Sequence, residues 1–394
     1  MMAGHNTLLD QRFMSLALAL GRRGLGNTWP NPAVGAVVVR HDGEPVIAGR
    51  GWTQPGGRPH AETEALRRAG AAARGATLYA TLEPCSHHGK TPPCTDAIMA
   101  AGIARVVSAI EDPNALAGRG HALLRASGIA VDVGVGATEA RRAHAGHIRS
   151  VCDRRPHVSL KLAVSADGKV ALAGRKPAPI TGEAARGRVH LMRAMNDAIL
   201  IGIGTALADD PQLTCRLPGM ASRSPVRVVL DADLRLPVAS ALVRSARETP
   251  LWVIAGETAP TEVEAVLAAR GVEVFRIPGV RGQGSGVRSE EGGAATTFLT
   301  PDSRFLIPEA ALRVLAERGI TRLMVEGGPT VAAALLSADL VDEAVLLRSP
   351  NPIGPDGIDA LEAMPLTALT ASPKLRSLGV ESAGEDTIET FERM

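Results

Sequence analysis

Apolar residues fall into two alternating periods along this chain. Phe13, Leu16, Ala17 and Leu20 recur at helical spacing and predict a helix over residues 10–21. The β-branched run at 34–39 predicts a buried strand, and residues 45–52 are expected to pair with it as a hairpin. A helix follows from 60 to about 73, with Ala61, Ala65, Leu66, Ala69 and Ala72 on its apolar face. Strands are then predicted at 77–82, 105–110 and 129–135, and helices at 95–101, 120–127 and 137–150. The segment Asp153-Arg154-Arg155-Pro156 marks a boundary, and the pattern restarts after it. Strands are expected at 157–164, 198–203, 226–231 and 251–255, and helices at 183–195, 308–318 and 330–337. Ser165-Ala166-Asp167-Gly168-Lys169 reads as a tight turn whose Asp-Gly pair suits a hairpin. The Gly-rich stretch 279–297 reads as a mobile surface insertion. Strands alternating with helices make both parts α/β, with one domain at 1–150 and a second at 156–394.

Composition narrows the picture. The chain has 394 residues, 45% hydrophobic and 21% charged, as expected of a globular protein of two or three domains. Aromatics make up only 2%, so the cores must be built from Ala, Val and Leu. A net charge of +2 gives no electrostatic case for nucleic acid as a partner, and aromatic stacking residues are scarce. The four cysteines do not form a disulfide framework, and Cys152 and Cys215 are expected to be ordinary reduced residues. The first ten residues lack the pattern of a signal peptide, and no apolar run reaches the ~18 residues of a membrane span. A cytoplasmic protein that does not bind membranes is expected.

The chemistry concentrates between His60 and Cys94. His60-Ala61-Glu62 is followed by Glu83-Pro84-Cys85 and then Pro93-Cys94. One imidazole and two thiols supply three N/S ligands for Zn²⁺ and leave the fourth tetrahedral position open, as a catalytic site requires. Bound zinc lowers the pKa of water to roughly 7. Glu62, two residues from His60, is then free to move protons. A His-x-Glu motif with a later Pro-Cys and a second Cys is the signature of zinc deaminases. Here eight residues rather than two separate the cysteines, a Cys-x₈-Cys variant of the short form. His87 and His88 could compete as ligands, and a fourth ligand would turn the site into a closed structural one.

Other segments carry weaker signals. Pro30 and Pro32 bracket Asn31 and favour an extended backbone, which would hold its amide rigidly against a heterocycle; a plain loop Asn is an equal alternative. The loop Ser86–Pro92 lies between two ligands and could hold a phosphate through His87, Lys90 and Thr91, or could simply space the cysteines. In the second half, Gly202-Ile203-Gly204-Thr205 follows a buried strand, and Glu326-Gly327-Gly328-Pro329-Thr330 leads from a strand into a helix. Backbone N–H groups at such a helix start can bind a pyrophosphate. The spacing is not G-x-G-x-x-G, so a tight strand-to-helix turn explains it equally well.

Taken whole, the chain resembles the bifunctional riboflavin-biosynthesis deaminase/reductase family over nearly its full length. The shared motifs are Pro30-Asn31-Pro32-Ala33-Val34-Gly35, His60-Ala61-Glu62, the run from Thr81-Leu82-Glu83-Pro84-Cys85 to Thr91-Pro92-Pro93-Cys94, and Asp112-Pro113-Asn114. In the second half they are Lys161-Leu162, Ser165-Ala166-Asp167-Gly168, Thr205 with Asp209-Asp210-Pro211, and Glu326–Thr330. The resemblance implies a cytidine-deaminase-like three-layer domain followed by a dihydrofolate-reductase-like α/β domain. It implies zinc-dependent deamination of a phosphoribosylamino-pyrimidine, then NADPH-dependent reduction of the ribosyl group to ribityl. Asn31 would contact the pyrimidine and the loop around Lys90 the phosphate. NADPH would lie near Ala163, Thr205, Asp209, Gly328, Pro329 and Thr330. The sugar-phosphate substrate would lie near Arg193, Leu213, Arg216 and Glu326. Lys161 and Asp209 are candidate proton donors for the departing ring oxygen. A homo-oligomer is expected.

The chain departs from the family at three places. Lys176-Pro177-Ala178-Pro179-Ile180-Thr181 lacks the usual Ser-x-Trp before Ile-Thr, Gly146-His147 stands where Gly-Phe is frequent, and the Gly-rich insertion is atypical. None touches the zinc residues. A deaminase whose second half binds without reducing is the alternative.

Overall fold

The computed structural model describes residues 3–281 and 304–394, so most of the Gly-rich insertion lies outside the described residues. The chain forms two compact units. The first takes in residues 1–157 together with Met195–Asp197 and Ala316–Arg322, and the second holds the remainder.

The first unit is built on five strands: β1 (Gly35–Arg40), β2 (Val46–Trp52), β3 (Thr77–Ala80), β4 (Arg105–Ser108) and β5 (Ala130–Val133), in the order β2-β1-β3-β4-β5. β1 is antiparallel to both neighbours, while β3, β4 and β5 run parallel. Six helices accompany the sheet: α1 (Ala3–Gly21), α2 (Ala61–Ala69), α3 (Cys94–Ala100), α4 (Gly120–Ala126), α5 (Ala137–Ala143) and α6 (Ala145–Asp153).

Glycines reveal the layering. A Cβ on Gly35 would lie 1.8 Å from the Ala17 carbonyl of α1, while Cβ atoms on Gly49 and Gly51 would lie 2.2 and 2.3 Å from the Ala65 and Ala61 carbonyls of α2. Gly51 pairs with Ala36, and Gly35 with Trp52. Directly paired residues share a face and neighbours along a strand alternate, so α1 and α2 cover opposite faces. The result is the expected three-layer arrangement. Its core is aliphatic, and the buried Tyr79 donates to Asp10 Oδ1 at 2.7 Å, beside two Arg105–Asp10 hydrogen bonds.

The second unit contains β6 (His157–Val164), β7 (Lys169–Ala171), α7 (Glu183–Ala194), β8 (Ala198–Gly202), α8 (Ile203–Asp209), β9 (Val226–Leu230), α9 (Ala241–Arg244), β10 (Leu251–Gly256), α10 (Thr261–Ala268) and β11 (Val272–Ile277). The short strands β12 (Gly279–Arg281) and β13 (Arg304–Leu306) pair with each other. Then come α11 (Pro308–Glu317), β14 (Arg322–Val325), α12 (Pro329–Ser337), β15 (Glu343–Arg348), β16 (Ile358–Asp359), α13 (Thr367–Thr370), β17 (Leu375–Ala383) and β18 (Asp386–Arg393). Nine of these strands form one sheet in the order β11-β10-β9-β8-β14-β6-β15-β18-β17. The run β11 to β14 is parallel, as is the β6–β15 pair, and β18 and β17 close the sheet with antiparallel pairings.

Several boundaries differ from the sequence expectation for local reasons. The helix expected over 60–73 is α-helical only to Ala69, because Gly70 takes φ +54° and a 3₁₀ turn follows. The helix expected over 137–150 is two helices, broken at His144, whose ring is buried against the Thr81 hydroxyl at 3.0 Å. The Asp167-Gly168 turn closes as expected, but β7 pairs with β16 rather than folding back on β6. Gly202-Ile203-Gly204-Thr205, expected only as glycines following a strand that runs to 203, lead directly into helix α8, which spans Ile203–Asp209. Among the described residues no helix is long and apolar enough to cross a membrane.

The contact of β2 with α2 is the tightest joint near the start of α2. Gly51→Ala is expected to cost about 1–3 kcal/mol in a urea titration and to lower the bound metal content, because α2 must move. An unchanged midpoint and metal content would refute this role for Gly51.

Candidate active sites

His60 precedes α2 as its N-cap, with extended backbone at φ −68° and ψ 159°, and Glu62 lies in the first helical turn. That change of backbone at the helix start lets residues two apart serve one site. Cys85 comes from the segment after β3, and Cys94 opens α3. His60 Nδ1 lies 3.3 Å from Cys94 Sγ and 3.6 Å from Cys85 Sγ, and all three donor atoms fall within 4.8 Å of one another. Tetrahedral bonds of about 2.2 Å would place ligand atoms about 3.6 Å apart, so the trio fits Zn²⁺. His87 and His88 are exposed and stand outside the cluster, so they do not compete for the metal.

Electrostatics at the cluster suit this chemistry. The Glu62 carboxyl is 3% exposed, and its Oε2 has no hydrogen-bond partner. Burial, opposed by His60 and aided by Cys85, pushes its pKa up to about 7. That is a useful value for a group that takes and returns protons at neutral pH. The hydrogen bond from Cys94 pulls the Cys85 thiol down to about 4, against its burial, and the Cys94 backbone N–H adds a bond of 3.3 Å. The same interaction with Cys85, together with burial, raises Cys94.

Asn31 is half-buried, and its Nδ2 donates to the Gly57 carbonyl at 2.8 Å. Gly57 adopts φ +84°, and a Cβ there would come within 2.4 Å of the Asn31 amide nitrogen. The amide is thus fixed by the Gly57 carbonyl, not by the extended backbone the prolines led us to expect: Asn31 sits at a bend whose N–H donates to the Thr28 carbonyl at 3.0 Å. The loop residues His87, Lys90 and Thr91 are all exposed. Thr91 Oγ1 accepts a hydrogen bond from Arg58, a residue the sequence analysis did not single out.

The second unit carries a cavity of about 350 Å³ at the carboxyl ends of β6, β8 and β14. Such sheet ends are where open α/β folds bind ligands. Lys161, Ala163, Arg193, Thr205, Asp209, Leu213, Glu326, Gly328, Pro329 and Thr330 all line it. Arg216 does not line it; this exposed residue donates its backbone N–H to His190 Nδ1 at 3.3 Å. Pro177, Ala178 and Ile180, in the segment that departs from the family, form part of the wall.

Glu326 anchors the charges here. Arg193 donates from Nε and Nη2 to its two oxygens at 2.6 and 3.0 Å, and Lys161 Nζ lies 3.7 Å away. Burial would raise the Glu326 pKa, but Lys161 and Arg193 overcome it and hold the carboxyl below its usual range. Opposite them, Gly328 is the N-cap of the nine-residue helix α12. A Cβ on Gly328 would come within 2.9 Å of Thr205 Oγ1, and one on Gly327 within 2.8 Å of Val331. The glycines leave backbone open at a helix N-terminus facing the cavity, which fits the phosphates of a nicotinamide dinucleotide.

For the metal site, Cys85→Ser and Cys94→Ser are each expected to drop zinc content from about one to below ~0.1 per chain by elemental analysis, whereas His87→Ala and His88→Ala keep it. Retention of full zinc by both cysteine variants would remove the assignment.

Comparison with known proteins agrees with both sites. Residues 8–110 match the cytidine and deoxycytidylate deaminase zinc-binding region, and residues 156–388 match the RibD C-terminal domain. The chain is 38% identical over 386 residues to the riboflavin biosynthesis protein RibD of Aquifex aeolicus, covering 98% of this chain and 99% of that one. It is 38% identical over 390 residues to the RibD of Escherichia coli, covering 96% and 97%. It is also similar to the crystal structure of a Thermotoga maritima diaminohydroxyphosphoribosylaminopyrimidine deaminase/5-amino-6-(5-phosphoribosylamino)uracil reductase, with a TM-score of 0.80, 34% identity and coverage of 99% and 100%. A deaminase-type zinc centre, a nucleotide-sized cleft and relatives matched end to end place this chain in the RibD family of riboflavin-biosynthesis proteins.

Proposed function

We infer that the protein is a bifunctional riboflavin-biosynthesis enzyme. Residues 1–150 deaminate 2,5-diamino-6-(5-phosphoribosylamino)pyrimidin-4(3H)-one, and residues 156–394 reduce the ribosyl group of the product to ribityl with NADPH. The observation that carries the first half is the three-donor cluster beside the buried Glu62 carboxyl, one oxygen of which has no partner.

His60, Cys85 and Cys94 hold the zinc, which when bound supplies the Lewis acidity that makes water nucleophilic at neutral pH. Glu62 takes the proton from the attacking water, passes it to the ring nitrogen and assists the loss of ammonia. Asn31 orients the pyrimidine edge with its fixed amide. His87, Lys90 and Thr91 meet the substrate's phosphate at the mouth of the site.

In the second half NADPH supplies the hydride. Ala163, Thr205, Asp209, Gly328, Pro329 and Thr330 line its place, with the open backbone of Gly328 toward the phosphates. Lys161 lends a proton to the departing ring oxygen, and Glu326 aims it. Arg193 and Leu213 line the place of the sugar phosphate, and Asp209 is a second candidate donor. The cleft is complete despite the prolines at 177 and 179, which argues against a half that binds without reducing. Work in the cytoplasm suits two thiols that must stay reduced to hold zinc. The exposed, nine-residue edge strand β17 supports assembly into a homo-oligomer.

Ammonia release and NADPH oxidation, followed together, test both halves. Glu62→Gln is expected to keep its zinc and lose ammonia release by about 10²- to 10⁴-fold, while still oxidising NADPH when given the deaminated intermediate. Glu326→Gln is expected to do the reverse, slowing NADPH oxidation by roughly 10- to 100-fold with ammonia release intact. Failure of the wild type to release ammonia would overturn the deaminase reading, and failure to oxidise NADPH the reductase one.

A further inference from the structure

Arg58 stands two residues before the ligand His60 and is half-buried. Its Nη1 donates to the hydroxyl of Thr91, in the loop between the two cysteine ligands. Its Nη2 lies 3.4 Å from the point where a Cβ on Gly89 would sit, and His87 Nε2 lies 3.6 Å from that same point. The guanidinium and the imidazole thus both lie beside Gly89 on the same side of the loop. Lys90 follows directly in the chain and is exposed. Among the described residues no carboxylate reaches Arg58 or Lys90; the only acid paired to this loop is Asp96, 3.9 Å from His88.

A half-buried guanidinium usually has a carboxylate partner, because desolvating its charge without one is unfavourable. Here a guanidinium and an imidazole lie together at the loop between the cysteine ligands, with Lys90 next in the chain, and among the described residues no carboxylate pairs with Arg58 or Lys90. The free edge of a planar guanidinium matches two oxygens of a phosphate, which a lysine cannot do alone. We propose that Arg58 is a specificity-determining residue of the deaminase half, binding the terminal phosphate monoester of the substrate together with Lys90 and His87, while its bond to Thr91 holds the loop in place. This rests on the deaminase reading above and adds the residue that makes the site select a phosphorylated substrate over its nucleoside form.

The test compares ammonia release from the phosphorylated substrate and from its dephosphorylated counterpart, for wild-type enzyme, Arg58→Ala and Arg58→Gln. Zinc content is measured on each. The glutamine keeps a donor for Thr91 and removes the charge. Both variants are expected to lose about 10- to 100-fold in the ratio of kcat/KM for the two substrates, mainly through a higher KM for the phosphorylated one. Arg58→Lys is expected to recover part of the ratio. Inorganic phosphate should compete with substrate in the wild type and compete less well in Arg58→Gln. If Arg58→Gln slows both substrates equally, or keeps the wild-type ratio, Arg58 is a loop clamp and the proposal fails. If the wild type releases no ammonia from either substrate, the deaminase reading itself fails, a result distinguishable from a loss confined to the ratio.

Discussion

The contact that the first site depends on is the close approach of β2 to α2. Side chains normally hold a helix and the strand beneath it apart. At Gly49 and Gly51 the strand presents no side chains, so the carbonyls of Ala65 and Ala61 come almost onto it. That depth sets where α2 begins, and its beginning carries His60 and Glu62. Cys85 follows β3, which pairs with β1, itself paired to β2. A single rigid sheet thus fixes both halves of the cluster, and sheet-held sites keep their geometry better than loop-held ones.

Each site assigns opposite fates to a buried carboxyl. Glu62 is buried with an unpartnered oxygen, and burial dominates, so it stands ready to exchange a proton near neutral pH. Glu326 is also buried but lies between Arg193 and Lys161, and these hold it ionised. One environment makes an acid/base, the other a fixed anion that orients a lysine. The same residue type therefore serves different chemistry in the two halves because of its neighbours alone.

The loop around Arg58 shows a third arrangement: a guanidinium with no carboxylate partner among the described residues. Such a group near a reaction centre is a binding site for charge that arrives with the substrate. On the proposal above it would link recognition of a remote phosphate to placement of the pyrimidine, so that binding far from the reacting carbon contributes to orientation there.

The zinc donors and Glu62 were legible in the sequence, because metal chemistry restricts residue type and the motifs are short. The helix and strand periods likewise announced most elements, as with the Ala61, Ala65, Leu66 and Ala69 face of α2. The break at His144 was not legible, since it depends on a hydroxyl 63 residues away. Nor were the strands β15, β17 and β18 or the helix α8 singled out, where short apolar runs carry no distinct period. By itself the sequence determined which atoms could bind metal, and in what order along the chain, since these are properties of residues and of local spacing. Only the tertiary structure decided that Arg193 and Lys161 meet Glu326, that Arg58 meets Thr91, and that His87 and His88 stay off the metal. Those contacts join residues far apart in the chain, 133 positions for Arg193 and Glu326 and more for Lys161 and Glu326. They follow from strand order and packing depth, which local hydrophobic patterns do not encode.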